Sequence, residues 1–173
     1  MKKAVFLDRD GVINEVLSDR VKFVNRPEQF YLLDHAGEAV KLLNDSGYLV
    51  FVVTNQGGVG LGLMTEEALK EVHEEMVRQI AEKGGMIHGT VCCTHAPKSG
   101  CACRKPEPGM ILSLADRYHV NLAASYMIGD READITAGKR AGVPTILIGE
   151  EAGFADAQFP SLWEAAQWIV HKN

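Results

Sequence analysis

Short apolar runs recur along the chain, and each is followed by apolar residues at helical spacing. The strand candidates are residues 3–7, 47–54, 90–94, 125–128 and 144–148. The run "GYLVFVVT" at 47–54 is rich in valine and aromatics and does not alternate, which suits a strand covered on both faces. Between these runs lie the helix candidates. Residues 37–44 carry Ala39, Val40, Leu42 and Leu43 and stop at Gly47. Residues 65–83 open on Thr65 as N-cap, with Glu66 and Glu67 favourably placed for the helix dipole, and end at Gly84 and Gly85. Residues 108–118 begin at Pro108, where a missing N–H costs little. Residues 132–141 stop at Gly142, and 161–171 set Leu162, Ala165, Ala166, Ile169 and Val170 on one side.

Strand and helix alternate throughout. That order predicts an α/β fold: a Rossmann-like parallel sheet with helices on both faces, and a ligand site at the carboxyl ends of the strands. No insertion is large enough for a cap domain, so residues 1–173 are expected to form one domain. The longest irregular segments are 10–36 and the cysteine-rich stretch that follows the third strand.

Composition narrows the function classes. The chain is 46% hydrophobic and 24% charged, as an ordinary soluble protein is. Its formal net charge of −5 argues against nucleic acid, whose binding draws on a basic face. No apolar run approaches the ~20 residues of a membrane helix. The N-terminal run stops at Asp8, too early for a signal peptide. A cytoplasmic protein with reduced cysteines is expected.

The polar residues at the predicted strand ends are chemically pointed. "AVFLDRDGVIN" puts Asp8 and Asp10 directly after an apolar strand, with Gly11 at the turn. Two acids so placed can aim at one site, and their repulsion calls for a positive partner such as a divalent cation. Alone, the pattern also fits a polar loop or a calcium loop. The second strand ends in Thr54 and Asn55, before the glycine-rich "QGGVGLG". The "IGDREAD" stretch places Asp130 at another strand tip, with Asp134 four residues on. Lys105 opens a turn before a helix.

In order, these motifs resemble the four signatures of the haloacid-dehalogenase-like superfamily: Asp8-x-Asp10-Gly11, then Thr54, then Lys105, then Gly129-Asp130-x-x-x-Asp134. The resemblance implies a phosphoester hydrolase. Asp8 would be the nucleophile that forms an aspartyl phosphate, and Asp10 the general acid and then base. Magnesium would sit among Asp8, the Asp10 carbonyl and Asp130, with Asp134 supporting the metal or orienting Lys105. Thr54 and Asn55 would hold the phosphoryl group, and Lys105 would offset the acids and stabilise the transferring group. A dehalogenase or phosphonatase of this superfamily would carry another residue at position 10.

All four cysteines fall between 92 and 103. Cys93-x-His95 and Cys101-x-Cys103 form two ligand pairs with five residues between them. Alternate residues in extended chain point the same way, so each pair could face one metal, and Cys₃His suits a closed zinc site. Disulfides, a reactive thiol and unligated thiols are the competing readings. Cys92 points opposite to Cys93 and stays outside the set. The stretch resembles the zinc loop "Cys-x-His…Cys-x-Cys-Arg-Lys-Pro" of the histidinol-phosphate and D-glycero-D-manno-heptose 1,7-bisphosphate phosphatases, which implies structural zinc.

That branch implies a small phosphorylated metabolite as partner, a sugar bisphosphate in the heptose case, with Arg104 meeting a second phosphate or a sugar hydroxyl. "DRDGVIN", "RPEQF" and "RKPEPGM" favour the heptose branch over the histidinol branch. Histidinol phosphate or another small phosphate ester is the alternative. The chain departs from the heptose pattern "TNQSGIARGYF" in reading "TNQGGVGLGLM", with Gly57 for serine and Leu61 for arginine. "LLDHAGEA" also lacks the usual proline-glycine pair. An uncapped site suggests a monomer. Outside enzymes, a phosphoacceptor signalling module also gathers acids, threonine and lysine at strand ends, but carries its phosphorylated aspartate after a later strand. A zinc-dependent interaction module is the other non-enzyme reading.

Overall fold

The apolar run Ala4–Leu7 forms strand β1, and all four of its residues are buried. A computed structural model describes residues 1–150 and 153–172. The strands that follow are β2 (Leu49–Asn55), β3 (Gly89–Cys93), β4 (Tyr126–Gly129), β5 (Thr145–Ile148) and β6 (Ala157–Phe159). They form one sheet in the order β3-β2-β1-β4-β5-β6, parallel at every pairing. β1 thus lies between β2 and β4, with Leu7 opposite Val52 on one side and Ile128 on the other.

The helices are α1 (Ala36–Asp45), α2 (Glu66–Glu82), α3 (Gly109–Tyr118), α4 (Glu132–Ala141) and α5 (Leu162–Lys172). Alternation along β1 assigns them to faces. Val5 and Leu7 enter a core with Val40 and Leu43 of α1, Val72 and Met76 of α2, and Ile169 of α5. Ala4 and Phe6 enter a second core with Ile111 and Leu114 of α3 and Ala137 of α4. Each central strand is therefore covered on both faces, which explains the unbroken valine run in β2.

The helix ends follow the local chemistry of the sequence. The Ala68 N–H donates to Thr65 Oγ1 at 3.0 Å, capping α2 over Glu66 and Glu67. Leu69, Val72, Met76 and Ile80 hold its inner face. Truncating Met76 or Ile80 to alanine should cost about 2–5 kcal/mol. α4 ends on Gly142 in the left-handed conformation, φ +80°.

Several details differ from the sequence expectation. β6 is an unanticipated edge strand beside β5. Cys101 and Cys103 do not lie in extended chain, and the third strand ends at Cys93. Lys105 therefore sits not at a strand tip but on the long connection between β3 and α3. The segment 10–36 is ordered by isolated bridges, Asp10 with Asn14 and Asn14 with Leu32, and by a 3₁₀ turn at Pro27–Gln29. Among the described residues, no helix is long and apolar enough to cross a membrane.

Candidate active site

Three adjacent parallel strands end at one edge of the sheet, and their tips deliver the acids. Asp8 follows β1, Thr54 and Asn55 end β2, and Asp130 follows β4. Asp134 lies in the first turn of α4. One oxygen each from Asp8, Asp130 and Asp134 falls within 4.8 Å of the others.

Lys105 reaches into this acid group from outside the sheet. Its Nζ donates to Asp8 Oδ1 at 2.8 Å and to the Val53 carbonyl at 2.9 Å, and pairs with Asp134 Oδ1 at 2.6 Å. All three ammonium protons therefore have acceptors within the protein. Burial alone would lower the Lys105 pKa, but Asp8 and Asp134 outweigh it and raise it. Lys105, expected from the sequence to offset the acids and stabilise the transferring group, here binds two of the acids.

One ammonium does not balance three carboxylates. Burial pushes the Asp8 carboxyl up to about 7, with Asp134 and Asp130 adding to the rise and Lys105 opposing it. Burial and Asp134 raise Asp130 as well. Asp130 Oδ1 is a buried acceptor with no hydrogen-bond partner. Gly11 makes room for the other oxygen: its φ is +85°, and a Cβ there would stand 2.1 Å from Asp130 Oδ2. An oxygen-only cluster with excess negative charge and an orphaned acceptor fits a hard divalent cation such as magnesium.

The Asp10 carboxylate is not one of those three acids and has its own partners. Its Oδ1 accepts from Arg9 Nε at 3.1 Å, Arg9 Nη2 at 3.0 Å and Asn14 Nδ2 at 2.9 Å. Its Oδ2 accepts from Gln56 Nε2 at 3.3 Å. Burial would raise the Asp10 pKa, but the Arg9 charge and the donated hydrogen bonds win and lower it. The Asp10 carboxylate is thus outside the three-acid group.

Asn55 and Arg104 line a cleft of about 230 Å³ with Asp8, Asp10, Lys105, Arg131, Ala133 and Asp134, whereas Thr54 is buried and does not line it. Thr54 Oγ1 accepts from Gln56 Nε2 at 2.9 Å. Both ends of the Asn55 carboxamide engage the Lys105 backbone, N–H to Oδ1 at 2.9 Å and Nδ2 to carbonyl at 3.1 Å. Asn55 therefore fixes the Lys105 segment against β2. Arg104 Nη1 is buried without a hydrogen-bond partner. A Cβ at Gly57 would lie 3.0 Å from it, so the missing serine gives Arg104 its space. Beside this cleft, sharing Asp10, Asn55 and Arg131, opens a second of about 430 Å³ lined by Val16, Phe23, Leu61, Leu63 and Met64.

The four expected zinc ligands converge although only Cys93 ends a strand. Cys93 Sγ stands 3.3 Å from His95 Nδ1, 3.6 Å from Cys101 Sγ and 2.8 Å from Cys103 Sγ, and His95 Nδ1 stands 3.2 Å from Cys103 Sγ. One donor atom from each lies within 4.8 Å of the rest. Burial, then the neighbouring thiols, push the Cys93 thiol up to about 12, while hydrogen bonds from Ser99 first, and then from the Arg104 backbone, Cys93 and Cys103, hold Cys101 down at about 6. Three sulfurs and a ring nitrogen around one point fit zinc, which stabilises thiolates. Cys92 lies outside the group and lines a groove with His73 on α2. None of the four cysteines is in a disulfide.

Sequence reasoning passed over Arg9, Asn14, Gln56 and His73. Arg9 and Asn14 are 1% and 0% exposed, which nothing in "LDRDGVIN" foretells. His73 did carry a signal: it borders the apolar stripe of Leu69, Val72, Met76 and Ile80 on α2.

Comparison with known proteins bears on this geometry. A HAD-hydrolase-like family model matches residues 102–163. The D-glycero-beta-D-manno-heptose-1,7-bisphosphate 7-phosphatase of Bordetella bronchiseptica is 38% identical, over 84% of this chain and 80% of that one. The phosphatase of the same name from Neisseria meningitidis serogroup A is 33% identical, over 99% of this chain and 96% of that one. The crystal structure of the B. bronchiseptica D,D-heptose 1,7-bisphosphate phosphatase, complexed with magnesium and phosphate, superposes with a TM-score of 0.90 at 32% identity, covering 99% of both chains.

Proposed function

Because the chain belongs to the haloacid-dehalogenase-like hydrolases, we propose that it is a magnesium-dependent phosphatase that removes the 7-phosphate of D-glycero-D-manno-heptose 1,7-bisphosphate, with Asp8 as nucleophile. The observation that carries the reading is the group of Asp8 and Asp130 at the strand tips with Asp134 in the first turn of α4, and the Lys105 ammonium bound to Asp8 and Asp134. Family membership removes the signalling-module and interaction-module alternatives.

In the first half of the reaction Asp8 attacks phosphorus and the bond from phosphorus to the sugar oxygen breaks. Asp10 gives that oxygen a proton. In the second half a water attacks the phosphorus of the aspartyl phosphate and passes a proton to Asp10. The bond between phosphorus and Asp8 then breaks, releasing phosphate. Asp8, Asp130 and the Asp10 carbonyl would hold magnesium, which would neutralise charge at the phosphoryl group. The lowered pKa of Asp10 suits the base half. For the acid half, a phosphate dianion beside the carboxylate raises its proton affinity by like-charge repulsion. Asp134 supports the cation and orients Lys105, while Thr54 and Arg104 face the phosphoryl side. Zinc at Cys93, His95, Cys101 and Cys103 fixes the loop that carries Arg104 and Lys105. The proposal takes the enzyme to be a cytoplasmic monomer.

A second reading, another small phosphate ester such as histidinol phosphate, draws on the mouth of the cleft. Leu61 and Leu63 are 57% and 71% exposed there, and the arginine of the heptose pattern is missing. A phosphate-release screen with magnesium tests both, using both anomers of the heptose bisphosphate, histidinol phosphate and sugar monophosphates. The proposal expects the highest kcat/KM on the β-anomer of the bisphosphate. A flat profile or a preference for histidinol phosphate rejects that substrate.

A further inference from the structure

Arg9 is a cation almost wholly out of water, 1% exposed, in the peptide between Asp8 and Asp10. One edge of its guanidinium, Nε and Nη2, grips Asp10 Oδ1. The remaining nitrogen, Nη1, lies 3.1 Å from Nε2 of His73, which comes from α2. A guanidinium can only donate, so His73 Nε2 is the acceptor, and the ring is neutral with its proton on Nδ1. Consistent with this, burial and then Arg9 lower the His73 pKa to about 4, against the opposing pull of Asp10.

We propose that His73 is a positioning residue for the reaction, holding through Arg9 the pose of Asp10 from which protons are exchanged. The inference rests on the reading of Asp10 as the acid–base group. Arginine reaches Asp10 on a flexible stem, and two bonds to one carboxylate oxygen leave the fork free to pivot about that oxygen. A third bond at Nη1, from a separate helix, stops the pivot. Without it a buried donor has no partner, and the guanidinium turns to find one, taking the carboxylate with it. The location of His73 supports a polar purpose. Position 73 borders the buried stripe of α2, where Leu69, Val72, Met76 and Ile80 are all apolar, and His73 is half-buried there beside the groove it lines with Cys92.

The test exploits the leaving group. An alkyl phosphate needs a proton on its departing oxygen, whereas 4-nitrophenyl phosphate scarcely does. Because kcat/KM reports on steps through phosphoryl transfer to Asp8, a displaced Asp10 lowers it selectively for alkyl esters. The magnesium-loaded chain would be assayed on a sugar monophosphate and on 4-nitrophenyl phosphate as wild type, His73→Leu, His73→Ala, His73→Gln and Asp10→Asn. His73→Leu keeps the packing without the acceptor. His73→Gln offers an amide oxygen where Nε2 stood. The ratio of the two substrates is internal to each sample, so partial loss of folded protein cancels. His73→Leu and His73→Ala are expected to lose ~10-fold more on the alkyl than on the aryl ester, a share of the ~10²–10⁴ that acid–base catalysis supplies, and His73→Gln to recover most of it. Equal losses on both esters, no loss, or a glutamine variant no better than leucine overturns the proposal. Asp10→Asn reports separately on the underlying reading. If that variant shows no dependence on the leaving group, Asp10 is not the acid and the His73 proposal falls with it. A dependence in Asp10→Asn alone rejects only the role of His73.

Discussion

The Lys105 ammonium stands 2.8 Å from Asp8 Oδ1, with both side chains buried. The same ammonium pairs with Asp134, so one cation arriving from the β3–α3 connection binds an acid at the tip of β1 and an acid in the first turn of α4. Lys105→Met keeps the length of the side chain and removes the charge. It is expected to lower kcat by ~10²-fold or more, as loss of a buried charge-stabilising donor does elsewhere. Steady-state phosphate release with saturating magnesium checks this. A loss below tenfold would show that Asp8 does not need the lysine.

Magnesium should stabilise the protein more at alkaline than at acidic pH. The Asp8 pKa rises on folding from 3.8 to about 7 in the metal-free chain. Between those pH values the folded chain holds a proton that the unfolded chain has released, so stability falls as pH rises through that window. The cation replaces the proton and removes the loss. Asp10, whose pKa is lowered, works in the opposite sense and loses its contribution on acidification. The difference between melts with magnesium and with chelator isolates the metal-binding acids. That gain in Tm is expected to be larger near pH 7.5 than near pH 5. An equal gain at both would contradict proton–metal competition at the acid cluster.

Zinc should behave as part of the fold. About one zinc per chain is expected to survive dialysis that strips magnesium, because closed thiolate sites hold tightly. Cys93→Ser and Cys103→Ser should lose it along with most activity, since Arg104 and Lys105 follow Cys103 directly. Cys92→Ser should keep it. Metal analysis showing the reverse pattern between Cys92 and Cys93 would move the site.

Two of the departures from the heptose pattern, at positions 57 and 61, make separate predictions. Gly57→Ser places a Cβ 3.0 Å from Arg104 Nη1 and 3.2 Å from Pro97 Cδ. The arginine must shift, and KM for the bisphosphate is expected to rise several-fold with kcat little changed. Leu61→Arg restores a charge at the mouth and should raise kcat/KM for the bisphosphate relative to monophosphates. A variant whose substrate ratio equals wild type would show that position 61 does not face the second phosphate.

The parts legible in the sequence are those set by local patterns. Unbroken apolar runs marked the central strands, and the acids after two of them marked the tips of β1 and β4. The ligand spacing around Cys93 and Cys101 was legible too, although the reason given for it was only half right. Cys101 and Cys103 reach the cluster from a bend, not from extended chain. β6 escaped because Ala157, Gln158 and Phe159 form an edge strand too short and too exposed to show an apolar run. Arg9 escaped for a different reason. An arginine between two aspartates reads as a solvated charge, and only the packing of α2 over β1 puts it out of water beside His73. The Asn55–Lys105 clamp joins residues fifty positions apart, a distance no local pattern spans.

The central claim is that Asp8 carries the phosphoryl group, and trapping that group tests it most directly. Asp10→Asn, which slows hydrolysis of the intermediate, would be mixed with magnesium and substrate, quenched in acid, and digested for mass spectrometry. The account predicts one added phosphoryl group on the peptide that contains Asp8, and neither that adduct nor turnover in Asp8→Asn. Full turnover in Asp8→Asn, or a phosphoryl group on another residue, would contradict it.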